Sequence, residues 1–582
     1  MTTSSQVPTS SELRSYMAKV ALRWSPLLAA TAALGLVVAL APPITSTTSS
    51  QALGRAGGGY AAGSAGHRGR HVRAGKLGSG SGAAGAYGGG SSTGTGGTAG
   101  GSRQAFGAAG LGGTATSALG SGGSGPSCSG GSKQFSWSVY APPCVPPFHG
   151  SNGGDTGHGV TGGTINVSFA EPSAAEEEVV NGFAGTAAID TQQFINDMNV
   201  YIHFFNHQFE LYGRKVVLHP FTAQGSYLAE DQGQDLAGAQ ADAQTAADIP
   251  AFADLTFPLF ASQYYAQDLA AEHVIGTAGI GMPLSWYEQY APYEVSYVPT
   301  GTAAAYGFAN AICARMADMP AIFSPQYSNT TRKFGLIVPD TPPYIRVEDD
   351  IVNQLQRACG LKLTVIEQYG LGDVQGYTTE AAGYMAKMKA LGVTTVVCGC
   401  DPIFPIMASQ AAAQQDYYPE WVAIGWGDPT TRDYNQGEWS HAISQEGQYP
   451  VNQDTEAYKV YEMASGGKPP EEVYYEVAYY MLLSFYDGLQ LAGPDLNATT
   501  FLHGWMSMPE TPVGQDGIWE GGPQAYSLAD VVTGMGWWDP TATSNFDGKQ
   551  GAWENCGNGR LYYYTAPGGW GTPHTQFNCF GR

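Results

Sequence analysis

His203 and His207 stand four residues apart with Glu210 close behind, a spacing that sets two imidazoles on one helix face and could chelate zinc. The signature HExxH is absent, because Phe204 follows His203, so the pair reads as a half-exposed helical pair without metal. Gly276–Gly281 (GTAGIG) follows an apolar run but lacks the last glycine and the downstream acid of a dinucleotide site. No G-x-S-x-G occurs in the globular part. Cys398 and Cys400 would need further ligands to hold a metal, and none is close in sequence. The residues therefore assemble no catalytic constellation, no metal site and no cofactor site. What remains is binding chemistry at loop ends.

Those loop ends are set by an alternation of apolar runs and helical spacings between Arg332 and Asp428. Lys333–Pro339 (KFGLIVP) predicts a buried strand, followed by the loop Asp340–Tyr344 and a helix over Val347–Cys359. Leu361–Gln368 predicts a second strand, Thr378–Leu391 a helix, and Val393–Cys398 a third strand closed by Gly399–Pro402. A helix around Ile406–Gln415 leads to a fourth strand at Trp421–Trp426, ending in Gly427–Asp428. Near-continuous apolar strands alternating with helices indicate a parallel sheet covered on both faces. Ligands of such sheets bind at the carboxyl ends of the strands.

The runs RKFGLIVPDTPPY, GLKLTVIEQY, TTEAAGYMAKMKALGVTTVVCGCDP and AAAQQDYYPEWVAIGWGDPTTRDY resemble one lobe of type I periplasmic binding proteins, in the leucine/isoleucine/valine-binding branch. INVSFAEP with LYGRKVVLHPF upstream, and YYMLLSFYDGLQLAGPDLNATTFLHGW downstream, extend the likeness over roughly residues 160–582. The resemblance implies an α/β fold of two doubly wound parallel-sheet lobes joined by a three-strand hinge that closes around a ligand. It implies a first lobe at about 164–297 and 445–516, and a second at about 298–444 and 517–582. It also implies ligand-binding positions. Tyr344 stands where the family has a tyrosine after its loop, Asp401 near another tyrosine, and Asp428 where an acid meets the ligand's ammonium group. The family's hydroxyl positions on the first lobe are poorly matched; Ser262 and Ser285 are the nearest. Trp286 and Trp426 could stack on a ring or cover an apolar group, and core packing is the plain alternative for each aromatic.

Within the first lobe, strands are expected at Thr164–Phe169, Val216–Pro220, Ala251–Phe257 and Val274–Ile280. A buried helix is expected around Asp190–Leu211, and one polar Ala-rich helix from about Ser226 to Ala247. Gly517–Arg582, dense in Trp, Tyr and Gly, is expected on the second lobe and hinge, with a hairpin-like run at Arg560–Thr565.

Charge divides the chain. Residues 1–132 hold nine Lys/Arg and one acid, or +8; the whole chain carries −23, which leaves −31 on the remainder. So acidic a body is inconsistent with nucleic-acid binding. Residues 1–25 read as a cytoplasmic segment and 26–44, with the apolar run Leu27–Ala41, as a signal peptide or a membrane anchor. Residues 45–132 are a Gly/Ser-rich linker, low in large apolar residues, that could lie against membrane or cell-wall polymers. The body, 133–582, would then face outward, secreted or anchored. Eight cysteines in an exported chain favour disulfides. Pairs are expected between Cys128 and Cys144, Cys313 and Cys359, and Cys556 and Cys579, leaving Cys398 and Cys400 as a tight ring or a reactive pair. The function implied is capture of a small polar organic ligand, amino acid or amide-like, for an ABC importer, without catalysis. A motif-less exported enzyme and a surface receptor are the alternatives.

Overall fold

The structure, a computed structural model, describes residues 132–184, 188–277, 279–470, 474–565, 570 and 575–580. The expectations for residues 1–131, Cys128 included, lie outside this range. Among the described residues no helix is long and apolar enough to cross a membrane.

The first lobe is built on β1 (Thr164–Glu171), α1 (Ala174–Ala184), α2 (Thr191–Gln208), β2 (Lys215–Thr222), α3 (Tyr227–Asp231), α4 (Leu236–Asp248), β3 (Ala253–Asp254), α5 (Gln263–Ala271), β4 (Ile275–Gly276) and α6 (Leu284–Tyr290). Its four strands are parallel in the order β2-β1-β3-β4. Asp190 caps α2 by accepting the Gln193 N–H. Phe194, Ile195, Met198, Tyr201 and Phe205 on that helix are all buried in the lobe's core.

The second lobe follows with α7 (Gly301–Arg315), β5 (Phe334–Pro339), α8 (Pro342–Cys359), β6 (Val365–Tyr369), α9 (Tyr377–Leu391), β7 (Thr395–Cys398), α10 (Phe404–Gln414), β8 (Glu420–Ala423), α11 (Gly427–Thr431), α12 (Gln436–Trp439) and β9 (Ala442–Ser444). Every residue of β5, β7, β8 and β9 is buried, and β5 accordingly reads as an unbroken apolar run, while β8 opens with buried Glu420 and β9 closes on buried Ser444. Proline at the start of α8 and left-handed Gly360 at its end fix that helix's length.

The chain then returns to the first lobe as α13 (Glu456–Ser465), α14 (Tyr474–Ala492) and α15 (Ala498–Met506). Trp519, Leu528 and Ala529 still pack into the first lobe's core, so the last crossing falls later than the Gly517 boundary read from the sequence. The second lobe is completed by β10 (Val532–Thr533), β11 (Gly536–Thr543), β12 (Gln550–Asn555) and β13 (Tyr562–Tyr563). Its main sheet has the order β12-β11-β9-β8-β7-β5-β6, with β5 to β9 parallel and β11 and β12 antiparallel. The Arg560–Thr565 run is not a hairpin of its own; Tyr562–Tyr563 pairs with Val532–Thr533.

Three stretches therefore pass between two doubly wound lobes. In the first, Glu294 bridges Gly276, and Ser296 bridges Ser527 of the third. Asp530 of the third stretch accepts the Thr300 N–H (2.6 Å) and hydroxyl (2.8 Å), bracing the start of α7. The second stretch leaves β9 and passes Tyr449. There the tip of the β11–β12 hairpin meets the first lobe: Asn545 donates to the Tyr449 carbonyl (2.8 Å), and Phe546 joins the first lobe's core.

Disulfides join Cys313 to Cys359 and Cys556 to Cys579, as the sequence suggested, and Cys398 to Cys400, which closes the tight ring. Cys144 is disulfide-bonded as well.

Candidate functional site

Residues just beyond the carboxyl ends of strands in each sheet touch the other lobe, Tyr344 at Ile280 and Gly372 at Leu228, and strand order reverses at β1/β3 and at β5/β7. Such switch points leave a crevice outside the strand ends.

On the first lobe acids gather just beyond the carboxyl ends of β1 and β2. The Ala-rich stretch expected as one helix is broken: Gly233 takes φ +70° after α3, and Asp235 caps α4 by accepting the Gly238 N–H. The break turns α3 out of line and places Glu230 and Asp231 at the corner. Glu176, in the first turn of α1, accepts the Ser226 hydroxyl (2.7 Å) and the Leu228 N–H (3.1 Å). Glu230 accepts the Ser262 hydroxyl (2.6 Å), and Asp242 accepts the N–H groups of Gln224 and Gly225. Pro172, Glu176, Tyr227, Glu230, Asp242 and Phe260 line a small cavity there, with room for about one water. Burial pushes the carboxyls of Glu176, Asp231 and Asp242 up and that of Glu230 to about 7, and neighbouring carboxylates push the same way. The described ion pairs all fall on other residues.

The second lobe brings tyrosines and two more acids. Asp401 follows the Cys398–Cys400 ring and caps the entry to α10, accepting N–H groups from Ile403 (2.6 Å) and Phe404 (3.1 Å). Its other oxygen accepts the hydroxyls of Tyr369 (2.8 Å) and Tyr377 (3.0 Å). Burial nevertheless raises its pKa against those four donors. Glu446, just beyond β9, accepts the Gly427 N–H (3.2 Å) and is pushed up to about 8 by burial and by Asp428. Tyr434 donates to the Pro402 carbonyl, and Trp426 Nε1 to the Cys400 carbonyl (3.2 Å).

The two sides touch. Tyr344 on α8 donates to the Ile280 carbonyl of the first lobe (3.0 Å) and feels the charges of both Asp231 and Asp401. Gly372, in the loop after β6, lies so near α3 that a Cβ there would sit 2.4 Å from the Leu228 carbonyl oxygen.

Of the positions implied by the sequence, Tyr344 touches the first lobe at Ile280 and feels the charge of Asp401, and Trp426 donates to Cys400 next to Asp401. Ser262 joins the first-lobe acids as the N-cap of α5 and the donor to Glu230. Trp286 is buried with Met282, Tyr287 and Tyr526, and Tyr344 packs against that cluster, so Trp286 backs the site rather than lining it. Ser285 is exposed on α6. Asp428 is buried inside the second lobe, where it accepts the Trp553 N–H of β12 (2.9 Å) and anchors the hairpin. Glu176, Tyr227, Glu230, Asp231 and Glu446 escaped the sequence reading. The signal for the α3 corner was present: Ser226, Gly233 and Asp235 are a cap, a stop and a second cap within ten residues. Glu210 is also spent elsewhere, accepting the N–H groups of Phe148 and Tyr212.

No family model matches the sequence, and no curated protein does. Solved structures of solute-binding proteins are similar to the chain. One is the leucine-, isoleucine-, valine-, threonine- and alanine-binding protein of Brucella ovis, with TM-score 0.48 and 12% identity over 69% of this chain and 95% of that one. Another is an ABC-transporter solute-binding protein of Rhodopseudomonas palustris BisB5 in complex with 3,4-dihydroxybenzoic acid, with TM-score 0.48 and 13% identity over 70% and 99%. A third is a fatty acid ABC transporter substrate-binding protein of Thermomonospora curvata, with TM-score 0.47 and 12% identity over 69% and 93%.

Proposed function

We propose that this chain is an extracytoplasmic solute-binding protein that captures a small polar organic molecule between its lobes and presents it to an ABC importer, without turnover. The observation that carries this reading is the crevice itself. Two doubly wound lobes are joined by three crossings, and beyond their strand ends the Tyr344 hydroxyl of the second lobe donates to the Ile280 carbonyl of the first. Three crossings suit hinge motion, since a few residues absorb the rotation while each lobe keeps its own core. The outward-facing location rests on the apolar run Leu27–Ala41 and its basic flank, and it fits the disulfides.

Thermal-shift measurements on the purified full-length chain test this. Amino acids, amides, urea, short peptides, aromatic acids and amines are supplied one at a time. One chemical class is expected to raise Tm while remaining chemically unchanged, because a ligand of the native state at a hundredfold its Kd adds about 2.7 kcal/mol. A flat melt across the panel, or consumption of the solute, contradicts the reading.

A further inference from the structure

Resting on the solute-binding reading, we propose that the ligand is an organic cation bearing primary ammonium groups and no carboxylate. Its positive end would be held by Glu176, Glu230 and the Tyr227 hydroxyl, with Asp231 and Asp401 closing over it from the two lobes.

The charge pattern comes first. Glu176, Glu230 and Asp231 lie near one another, with Asp235, Asp242 and, across the closure line, Asp401 as the other charges acting on them. An anionic ligand would add like charge to a desolvated acidic crevice, whereas an ammonium group supplies the missing countercharge. Hydroxyl groups that would hold a ligand carboxylate are also spent. Ser262 and Ser226 donate to Glu230 and Glu176, and Ser285 points its exposure elsewhere on α6.

Tyr227 is the independent observation. Its ring is only 8% exposed, yet its hydroxyl has no hydrogen-bond partner. Tyr227 belongs to the lining of the small cavity, and among the charges acting on its hydroxyl those of Glu176 and Asp231 are the strongest. A buried phenol left unmatched is a standing cost to the fold that a ligand group can relieve. A ligand N–H group entering beside Glu176 and Glu230 would find the phenol oxygen as an acceptor, while the carboxylates take the other hydrogens.

Spacing argues against a metal ion. Among the described residues no three His, Cys, Asp or Glu side chains are grouped to hold one.

Titration calorimetry of the full-length chain with putrescine and spermidine tests the proposal, with leucine, 4-hydroxybenzoate, glucose and calcium chloride as competing probes. Putrescine or spermidine is expected to bind, and E176Q and E230Q each to weaken it at least tenfold. Y227F, which keeps the ring, should weaken it several-fold. Because the acids sit above their ordinary range without ligand, the native state holds protons that the unfolded chain releases. The contribution of these acids to unliganded stability is therefore full below about 4.5 and is lost as pH rises through about 7. Amine binding should be tighter at pH 8 than at pH 5. Binding of leucine, 4-hydroxybenzoate or glucose with the amines silent overturns the cationic ligand and leaves the solute-binding reading standing. Calcium binding alone makes the site a metal site. Amine binding indifferent to all three substitutions places it elsewhere and overturns the assignment, and silence from every probe defeats both readings.

Discussion

Arg332→Ala is expected to destabilise the protein by about 3–5 kcal/mol, the usual cost of leaving half of a buried ion pair behind. Arg332 and Glu420 are joined by Nε to Oε2 at 2.7 Å and Nη2 to Oε1 at 2.9 Å, and neither side chain has accessible surface. Glu420 also accepts the Phe323 N–H (2.9 Å) and the Thr395 hydroxyl (2.8 Å). Removing the guanidinium would strand a carboxylate among neutral donors. The pair stands at the amino ends of β5 and β8, the edge of the sheet away from the crevice, so ligand affinity of the folded fraction should not change. Urea unfolding followed by a midpoint at constant slope measures the loss. The double variant R332M/E420M should recover part of it, because apolar replacement removes both desolvation costs. A single-variant loss below about 1 kcal/mol would mean the pair is not sealed from water.

Gly372→Val is expected to lower ligand affinity by about tenfold or more while the chain stays folded. Gly372 has φ +83°, and a Cβ there would meet the Leu228 carbonyl oxygen at 2.4 Å and the Asp231 Cβ at 3.1 Å. The left-handed backbone costs a branched residue roughly 1–2 kcal/mol whether the lobes are open or shut. The overlap with α3 arises only when they are shut. Affinity should therefore fall with the population of the closed form, beyond what the loss of stability explains. Calorimetry with the best ligand from the melting panel, beside a urea melt, separates the two effects. Equal affinity in G372V and the parent chain would show that binding needs no approach of α3 to the loop after β6.

Much of this architecture was legible because its signals are local. Residues Phe334–Pro339 and Thr395–Cys398 are buried on both faces, and their sequences are apolar without interruption. Pro342 and Gly360 mark the ends of α8. Tyr344, Asp401 and Trp426 follow strand ends whose positions the alternation sets.

The remainder depended on distant partners. The fate of Asp428 was decided by a hairpin more than a hundred residues away, whose β12 takes it through the Trp553 N–H. The α3 corner was hidden because alanine-rich helical spacing runs straight through Gly233, and only the left-handed turn there separates α3 from α4. Trp286 illustrates a third cause. An aromatic after a strand-end loop reads the same whether it stacks on a ligand or fills a core, and here it fills the core behind Tyr344. The tail's aromatics became the β11–β12 hairpin and its packing, with Trp538 and Trp553 paired edge to face at 5.5 Å.

Hydrogen exchange on the full-length chain, with and without the solute that raises Tm most, tests the two-lobed clamp most directly. The account predicts that the ligand slows exchange together in α3 on the first lobe and in the loops holding Gly372 and Asp401 on the second. Protection confined to one lobe, or to a surface away from these segments, would contradict it.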